Sequence, residues 1–319
     1  MTRFNVVMTA PRLAAEAVAV LERAGCAVHY MPPYPSAEAV AARTAEVQAD
    51  AILTRQGAVS AAAMDASPRL RIVARHGVGV DDVDLAAARA RGLLVTRAPG
   101  SNTAAVAEHT LTLVLALAKD LRPLGVAIAD GAWRGGATKV RDIAGLRLGL
   151  LGFGAIGQAV AALARPFGMA VAAFDPMADP AAFGAVRRAD TLAALLAQTD
   201  ALSVHCPYSP ATRHIVDAAA LAAMPAGGYV VNTARGGIVD EAALLAALES
   251  GHLAGAGLDV FEVEPPPADH PLRRHPRVLV TPHVAGVTDG SLVNMGVMAA
   301  ECIAAALTGG VVPAERIVA

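Results

Sequence analysis

Short runs of β-branched and aliphatic residues alternate along the chain with Ala-rich stretches of helical length. Strands are expected at 4–8, 27–30, 51–53 and 71–74, with helices at 12–23 and 37–48 between them. Strands alternating with helices predict a parallel sheet covered on both faces. After Pro99-Gly100 comes an apolar stretch, 103–118, and then a polar loop containing Gly and Trp133 at 130–138. A second alternating series follows, with strands at 147–151, 169–174, 201–205, 229–232, 256–258 and 278–280. It has the make-up of a complete doubly wound domain. The amphipathic helix expected at 291–307, with its short tail, is too small to fold alone. It is expected to pack back on the first domain, so the predicted division is 1–99 with 285–319 against 100–284. No internal repeat is visible, and Pro265-Pro266-Pro267 marks a loop.

Composition sharpens this picture. A chain of 319 residues is long for a single core, which favours two domains with a ligand cleft between them. With 55% hydrophobic, 17% charged and 3% aromatic residues, it reads as compact rather than disordered. The net charge of −2, without a basic stripe, argues against nucleic acid as a partner. Cys26, Cys206 and Cys302 lack CxxC or metal-ligand spacing, so neither a disulfide framework nor a metal site is expected, and a reducing cytoplasm fits. The start, Met1-Thr2-Arg3-Phe4-Asn5, does not read as a secretion signal. The 103–118 stretch is broken by Glu108 and His109 and is shorter than the roughly 20 residues of a membrane span, so it is read as a buried helix and no membrane is expected.

The chemistry begins at Gly152-Phe153-Gly154-Ala155-Ile156-Gly157. A strand, Arg147 to Leu151, runs directly into it, and a helix is expected to continue from Gln158 to Phe167. This is the context a dinucleotide-binding turn requires. Gly152 allows the tight turn, Gly154 the close approach of a pyrophosphate, and Gly157 close packing of the helix, whose N-terminus offers amides to the phosphates. Asp175 follows at the end of the next strand, 23 positions after Gly152 and near the usual spacing of about 20. An acidic side chain there accepts from ribose hydroxyls and repels a 2′-phosphate, which favours NAD over NADP.

Reducing a 2-oxo acid needs a cation for the carboxylate, a proton donor for the oxygen, and a group that tunes the donor. Arg235, in Asn232-Thr233-Ala234-Arg235-Gly236-Gly237, lies just past a strand, and its planar fork suits a carboxylate. His283, in Thr281-Pro282-His283-Val284-Ala285-Gly286, again follows a strand. Histidine titrates near 6.5 when unperturbed, so a neighbouring carboxylate suffices to keep it protonated. Glu264, directly before Pro265, is the candidate for that carboxylate. Among nine histidines only His283 has this context; His76 and His109 stay unassigned.

In this order after the glycine turn, the three motifs resemble the D-isomer-specific 2-hydroxyacid dehydrogenases, the family of D-lactate, glycerate, hydroxypyruvate and phosphoglycerate dehydrogenases, over essentially the whole chain. The resemblance implies an α/β fold of two doubly wound parallel-sheet domains, a Rossmann-type NAD domain inserted into a discontinuous flavodoxin-like substrate domain. It implies NAD-dependent interconversion of a D-2-hydroxy acid and its 2-oxo acid, and a homodimer. Arg235 is implied as the substrate-carboxylate residue, His283 as the acid/base and Glu264 as its partner. Asp259 is implied near the nicotinamide amide, and His205-Cys206-Pro207 beside the adenine, Cys206 being read as a small buried residue. Thr233, Ala234 and Gly286 of the same motifs are implied at the cofactor. In the first domain, Arg75-His76-Gly77-Val78-Gly79 is similar to the family loop whose amides, here at Val78 and Gly79, hold the substrate carboxylate. Asp81, Asp82 and Asp84 after it read as helix caps. Ser101-Asn102-Thr103 matches the segment entering the interdomain helix, with Asn102 lining the cleft.

Arg55 and Arg75 both follow first-domain strands, so the substrate is expected to carry a second anionic group. This resembles the phosphoglycerate dehydrogenase branch, in a short form without that branch's C-terminal regulatory domain. Glyoxylate or hydroxypyruvate reduction is the alternative. Formate dehydrogenases pair the histidine with an amide, against Glu264 here. A corepressor-like NAD(H) sensor is the reading from another class.

Overall fold

The computed structural model of the chain describes residues 3–133 and 139–319, so the last five positions of the polar loop, 134–138, lie outside the described residues. The chain divides into two compact units, Met1–Asn102 with Val287–Ala319, and Thr103–Gly286.

The first unit runs β1 (Phe4–Met8), α1 (Ala15–Arg23), β2 (Cys26–Tyr30), α2 (Ala37–Glu46), β3 (Ala51–Thr54), α3 (Ala61–Asp65), β4 (Ile72–Arg75), α4 (Leu85–Ala90) and β5 (Leu94–Thr96). The last helix, α12 (Asp289–Thr308), belongs with it. Its strands pair in parallel in the order β2-β1-β3-β4-β5, the flavodoxin-like arrangement. Both sheet faces are covered, so the central strands β1, β3 and β4 are largely apolar rather than alternating, while the edge strand β2 is less buried. Val6, Met8, Leu53 and Ile72 face a cluster with Leu21 of α1 and Ile303 and Leu307 of α12, while Val7, Ile52 and Val73 face Val40, Met64 and Ala88. Helix starts are capped: Ser36, Ser60 and Asp84 accept the amides of Ala39, Ala63 and Ala87. Of the described helices, α12 alone has the length and apolarity to cross a membrane. Its Met295, Ala299, Ile303 and Leu307 are buried, and it packs against α1 and β4 as a core helix does. The short strand β5, which hydropathy alone did not reveal, is bordered by the C-terminal tail, where Val318 N–H donates to Val95 O at 2.8 Å.

The second unit opens with α5 (Thr103–Ala118) and α6 (Leu121–Ala129). It continues through β6 (Arg147–Leu151), α7 (Ala155–Ala164), β7 (Ala170–Phe174), β8 (Arg187–Arg188), α8 (Leu192–Leu196), β9 (Ala201–Val204), α9 (Ala218–Ala222), β10 (Gly228–Asn232), α10 (Glu241–Glu249), β11 (Leu253–Leu258), α11 (Pro271–Arg274) and β12 (Val278–Val280). The parallel order β12-β11-β10-β9-β6-β7-β8 is the Rossmann order extended by one strand. The chain reverses its winding direction between β6 and β9, and ligands of such sheets bind beyond the strand ends at that point. Gly255 and Gly257 inside β11 have a packing reason: a Cβ there would meet Leu117 Cδ2 at 3.0 Å and Leu113 Cβ at 3.1 Å, so α5 lies against the strand backbone. The helix after the glycine turn begins at Ala155, three residues earlier than expected, with the turn itself forming its first residues.

Candidate active site

The glycine turn leaves β6 at the switch point. Gly152 adopts φ 97°, and a Cβ there would lie 2.5 Å from Cys206 N and 2.6 Å from His205 C, so only glycine lets the β6 and β9 exits approach. A Cβ on Gly157 would meet Gly152 O at 2.5 Å, which fixes the start of α7 on the turn. At Gly154 that position is open, with no atom within 4 Å. Two closed glycine positions around one open one leave a cradle with room for a pyrophosphate at the N-terminus of α7, a ten-residue helix. Asp175 also builds this turn: Oδ2 accepts Phe153 N–H at 2.8 Å, and Oδ1 accepts Met177 N–H at 2.9 Å and Ala178 N–H at 3.2 Å. An ionised carboxylate has about four acceptor sites. The three amides leave one for a ribose hydroxyl. Burial pushes His205 down to about 4, leaving a neutral ring bonded to Ser203 Oγ at 2.8 Å. Burial likewise raises the Cys206 thiol to about 11. It is a small protonated residue in the wall rather than a nucleophile.

Three neighbouring strands, β10, β11 and β12, deliver Arg235, Glu264 and His283 from their C-terminal ends. Asn232 sets the first turn, accepting Ala234 N–H at 3.0 Å and donating to Arg235 O at 2.8 Å. Thr233 is buried, its hydroxyl 2.8 Å from that of Thr110 on α5. Glu264 Oε1 accepts Phe261 N–H at 3.1 Å, and Oε2 lies 2.7 Å from His283 Nδ1. Burial alone would push the Glu264 carboxyl up, but the hydrogen bond and charge of His283, the Phe261 amide and the charge of Arg235 outweigh it and hold it below its ordinary value. Glu264 is therefore an ionised acceptor, which makes His283 Nδ1 the donor and leaves Nε2 for a reacting group.

His283 has φ 53°, a left-handed conformation unusual for a residue with a Cβ and costing on the order of 1–3 kcal/mol. Asp259, buried at the end of β11, enforces it. Its carbonyl accepts His283 N–H at 2.8 Å, and its carboxylate accepts Thr281 Oγ1–H at 2.6 Å, Val284 N–H at 2.9 Å and Ala285 N–H at 2.8 Å. Thr281 has one hydroxyl proton, already given to Asp259, so His109 Nε2–H is the donor across the 3.0 Å contact between His109 and Thr281. His109, unassigned by its local sequence, thus stands behind the turn that carries His283. Only long-range pairing reveals this.

In the first unit, Arg75 differs from its expected role as an anion ligand. Its Nη1 lies 2.6 Å from Asp82 Oδ2 and 3.0 Å from Arg55 O, and its Nε donates to Gly79 O at 2.8 Å. It braces the loop carrying the Val78 and Gly79 amides. Asp82 accordingly pairs with Arg75 instead of capping a helix, while Asp84 does cap α4. Arg55 is half-buried, and no hydrogen bond or ion pair to its guanidinium is found among the described residues. His76 beside it is buried, and burial together with the charges of Arg55 and Arg75 lowers it to about 4. Asn102 Oδ1 is buried without a hydrogen-bond partner among the described residues.

Residues 111–285 match the family described as D-isomer specific 2-hydroxyacid dehydrogenase, NAD binding domain. D-3-phosphoglycerate dehydrogenase of Mycobacterium tuberculosis is 42% identical over 268 residues, covering 83% of this chain and 51% of the relative. The chain spans about half the length of that relative. (S)-sulfolactate dehydrogenase of Chromohalobacter salexigens is 46% identical over 226 residues, covering 70% of this chain and 73% of the relative. The solved TT0316 protein from Thermus thermophilus superposes with a TM-score of 0.89 at 36% identity, covering 99% of this chain and 100% of that one. The chain belongs to the D-isomer specific 2-hydroxyacid dehydrogenase family, with the family's two-domain α/β fold, and its cofactor is NAD.

Proposed function

We propose that the chain interconverts a D-2-hydroxy acid and its 2-oxo acid, with Arg235, Glu264 and His283 carrying the chemistry. The reading rests on the 2.7 Å pairing of His283 Nδ1 with Glu264, which leaves Nε2 as the working nitrogen. In the reducing direction Arg235 holds the substrate carboxylate while His283 Nε2–H gives its proton to the carbonyl oxygen at C2. In the oxidising direction Nε2 takes the hydroxyl proton, and Glu264 stabilises the imidazolium formed. The dinucleotide, when bound, would supply the hydride to C2 as NADH and accept it as NAD+. Gly152 to Gly157, with Asp175, His205, Cys206, Pro207, Thr233, Ala234, Asp259 and Gly286, hold that cofactor, in a domain read as 100–284. The remainder, 1–99 with 285–319, is the substrate domain, where the Val78 and Gly79 amides, Arg55 and Asn102 bind the acid.

The substrate favoured is phosphoglycerate-like. Arg55 supports it, a half-buried cation with no internal counter-charge among the described residues. Glyoxylate or hydroxypyruvate reduction is the alternative, and the engagement of Arg75 with Asp82 favours it by leaving a single cation. NADH oxidation over a panel of 3-phosphohydroxypyruvate, hydroxypyruvate, glyoxylate and pyruvate separates the two. Arg55→Ala is expected to raise KM for the phosphorylated acid by about 10- to 100-fold, the worth of a lost charged hydrogen bond, and to leave hydroxypyruvate nearly unchanged. Equal turnover of phosphorylated and plain acids would favour the alternative. Tight NADH binding without turnover on any acid would favour the sensor.

The dimer reading is supported by α6, which buries no residue and exposes Leu121, Val126 and Ile128, followed by Trp133 at 85% exposure. Sedimentation at micromolar concentration tests it. Three free cysteines fit a reducing cytoplasm, and neither nucleic acid nor membrane is proposed as a partner.

A further inference from the structure

Next to the trio lies a second set of acids and histidines. Glu241, the first residue of α10, has a largely buried side chain. Its Oε1 accepts Glu262 N–H at 2.8 Å, and its Oε2 lies 3.0 Å from His270 Nε2. Glu241 can only accept, so Nε2 of His270 donates to it. His270 is itself steadied by Phe261, whose ring it meets edge to face at 5.4 Å between centroids. The peptide held in this way, Phe261–Glu262, occupies a critical position. A Cβ on Gly236 would stand 1.9 Å from Phe261 O and 2.5 Å from Glu262 N, so the turn presenting Arg235 rests directly on that peptide. Glu264 lies two residues further on, and its Oε1 is bonded to the amide of Phe261. Two successive peptides that share Phe261 therefore act as one support: Phe261–Glu262 backs the turn of the carboxylate-binding arginine, and the N–H of the peptide before it holds the carboxylate that orients His283.

We propose that Glu241, held by His270, is a positioning residue that fixes the Phe261–Glu262 peptide and through it sets Arg235 and Glu264 together. The proposal rests on the assignment of Arg235, Glu264 and His283 given above. The titratable groups around the peptide are Glu241 with His270, Glu264 with His283 and Arg235, and the Glu262 carboxylate, bonded to His214 Nε2 at 2.8 Å, with Asp240 3.9 Å from His214 Nδ1. Of these, Glu241 alone has a hydrogen bond to the peptide's N–H, so removing its carboxylate releases that peptide.

The test uses the purified full chain, NADH and hydroxypyruvate, with Glu241→Ala, Glu241→Gln and His270→Ala. Displacing catalytic groups by about 1 Å costs up to roughly 100-fold in rate, so Glu241→Ala is expected to lower kcat by on the order of 10- to 100-fold and to raise KM for the oxo acid. NADH affinity, read by fluorescence titration, stays within about twofold because the glycine turn is untouched. Glu241→Gln keeps an acceptor for Glu262 N–H and is expected to restore most of kcat. The alkaline limb of the kcat/KM profile, which belongs to the His283–Glu264 pair, moves to lower pH in the Ala variant and returns in the Gln variant. His270→Ala gives a smaller loss in the same direction. Wild-type kcat and profile in Glu241→Ala would overturn the proposal, as would Gln and Ala variants equally impaired. If Glu241→Ala does not fold, Glu241→Asp, too short to reach Glu262 N–H, takes its place with the same expectations. His283→Ala, run alongside, keeps the two ideas apart. Turnover retained there sinks the assignment of the trio, whereas turnover lost there but kept in the Glu241 variants sinks only the positioning role.

Discussion

The two units use the same device where strands enter their sheets and different ones where strands leave. Gln48-Ala49-Asp50-Ala51-Ile52-Leu53 leads into β3, and Gln198-Thr199-Asp200-Ala201-Leu202-Ser203 leads into β9. Asp50 Oδ2 accepts Asn5 N–H at 2.8 Å and the carboxylate is gripped by Arg69, with Nε to Oδ1 at 3.1 Å and Nη2 to Oδ2 at 3.0 Å. Asp200 Oδ2 accepts Arg147 N–H at 3.0 Å and the carboxylate is gripped by Arg147, with Nε to Oδ2 at 2.9 Å and Nη2 to Oδ1 at 2.7 Å. Each aspartate directly precedes a central strand, satisfies the amide at the start of its neighbour and carries an arginine, Asp200 also carrying a second, Arg141, with Nη2 2.8 Å from Oδ1. At the strand exits the likeness ends. Beyond β6, β10, β11 and β12 stand the glycine turn and the trio; beyond β3 and β4 stand Arg55 and a loop braced by Arg75. Strand entrances serve the fold, and strand exits carry the residues proposed for function.

The largest effect expected from this division is at an exit. His283→Ala removes the acid/base, and the loss of general acid catalysis predicts a fall in kcat of about 100- to 10,000-fold. NADH affinity should stay close to wild type, because the turn that binds it leaves another strand. Steady-state kinetics with a fluorescence titration of NADH checks both halves. Wild-type turnover would remove His283 from its role, and a parallel loss of NADH affinity would show that the exits are not separable.

The same contrast explains what could be read from the chain. The buried strands and α5 are legible because parallel sheets demand continuous apolar runs, and the placement of Gly152, Asp175, Arg235 and His283 at strand exits because each follows such a run closely, whereas Glu264 is marked by its place before Pro265. β5 escapes this reading, although at three residues it is no shorter than β12, which does not. The kinship of Asp50 and Asp200 is not legible there because it lies in hydrogen bonds to Asn5 and Arg147, not in a repeat of any length. Arg75 misled for a related reason: its position after a strand was visible, but its partner Asp82 sits in a loop whose path only the fold defines. His109, Glu241 and His270 act through partners between 21 and 172 positions away. No local pattern encodes such contacts.

The entrances should give a smaller and purely structural effect. Asp50→Ala leaves Arg69 and a strand-end amide without their acceptor, and Asp200→Ala leaves Arg147, Arg141 and a strand-end amide without theirs, a loss of about 1–3 kcal/mol or more, read as a lower urea midpoint. Activity per folded molecule should be retained. The hydrogen bond from Arg147, foremost among several opposing burial, lowers Asp200 to about 2. A group depressed in the folded state stabilises above its unfolded value near 3.9, and that stabilisation is lost as pH falls towards 2. The gap between wild type and Asp200→Asn should therefore be full at pH 5 and above and close between about pH 4 and 2. A gap that stayed constant across that window would refute the charge-based account of the entrance.

The smallest effect tests a residue that joins both roles. Asp175 ends β7 at an exit, yet three of its acceptor sites hold the backbone of the glycine turn. If its remaining site reads the ribose, Asp175→Ala weakens NAD more than NADP, because the substitution removes both an acceptor and a charge repelling the 2′-phosphate. A change of about tenfold in the NAD to NADP affinity ratio, near 1.4 kcal/mol, is expected. Asp175→Asn sharpens the point, since the amide oxygen still accepts a backbone N–H while the charge is gone. It should shift the ratio and, because its NH2 cannot accept the turn amide that the second carboxylate oxygen held, lower the urea midpoint less than Asp175→Ala does. If Asp175→Asn left the ratio unchanged and Asp175→Ala weakened both dinucleotides alike, Asp175 would be a turn-building residue only, and selectivity between the dinucleotides would reside elsewhere in the cradle.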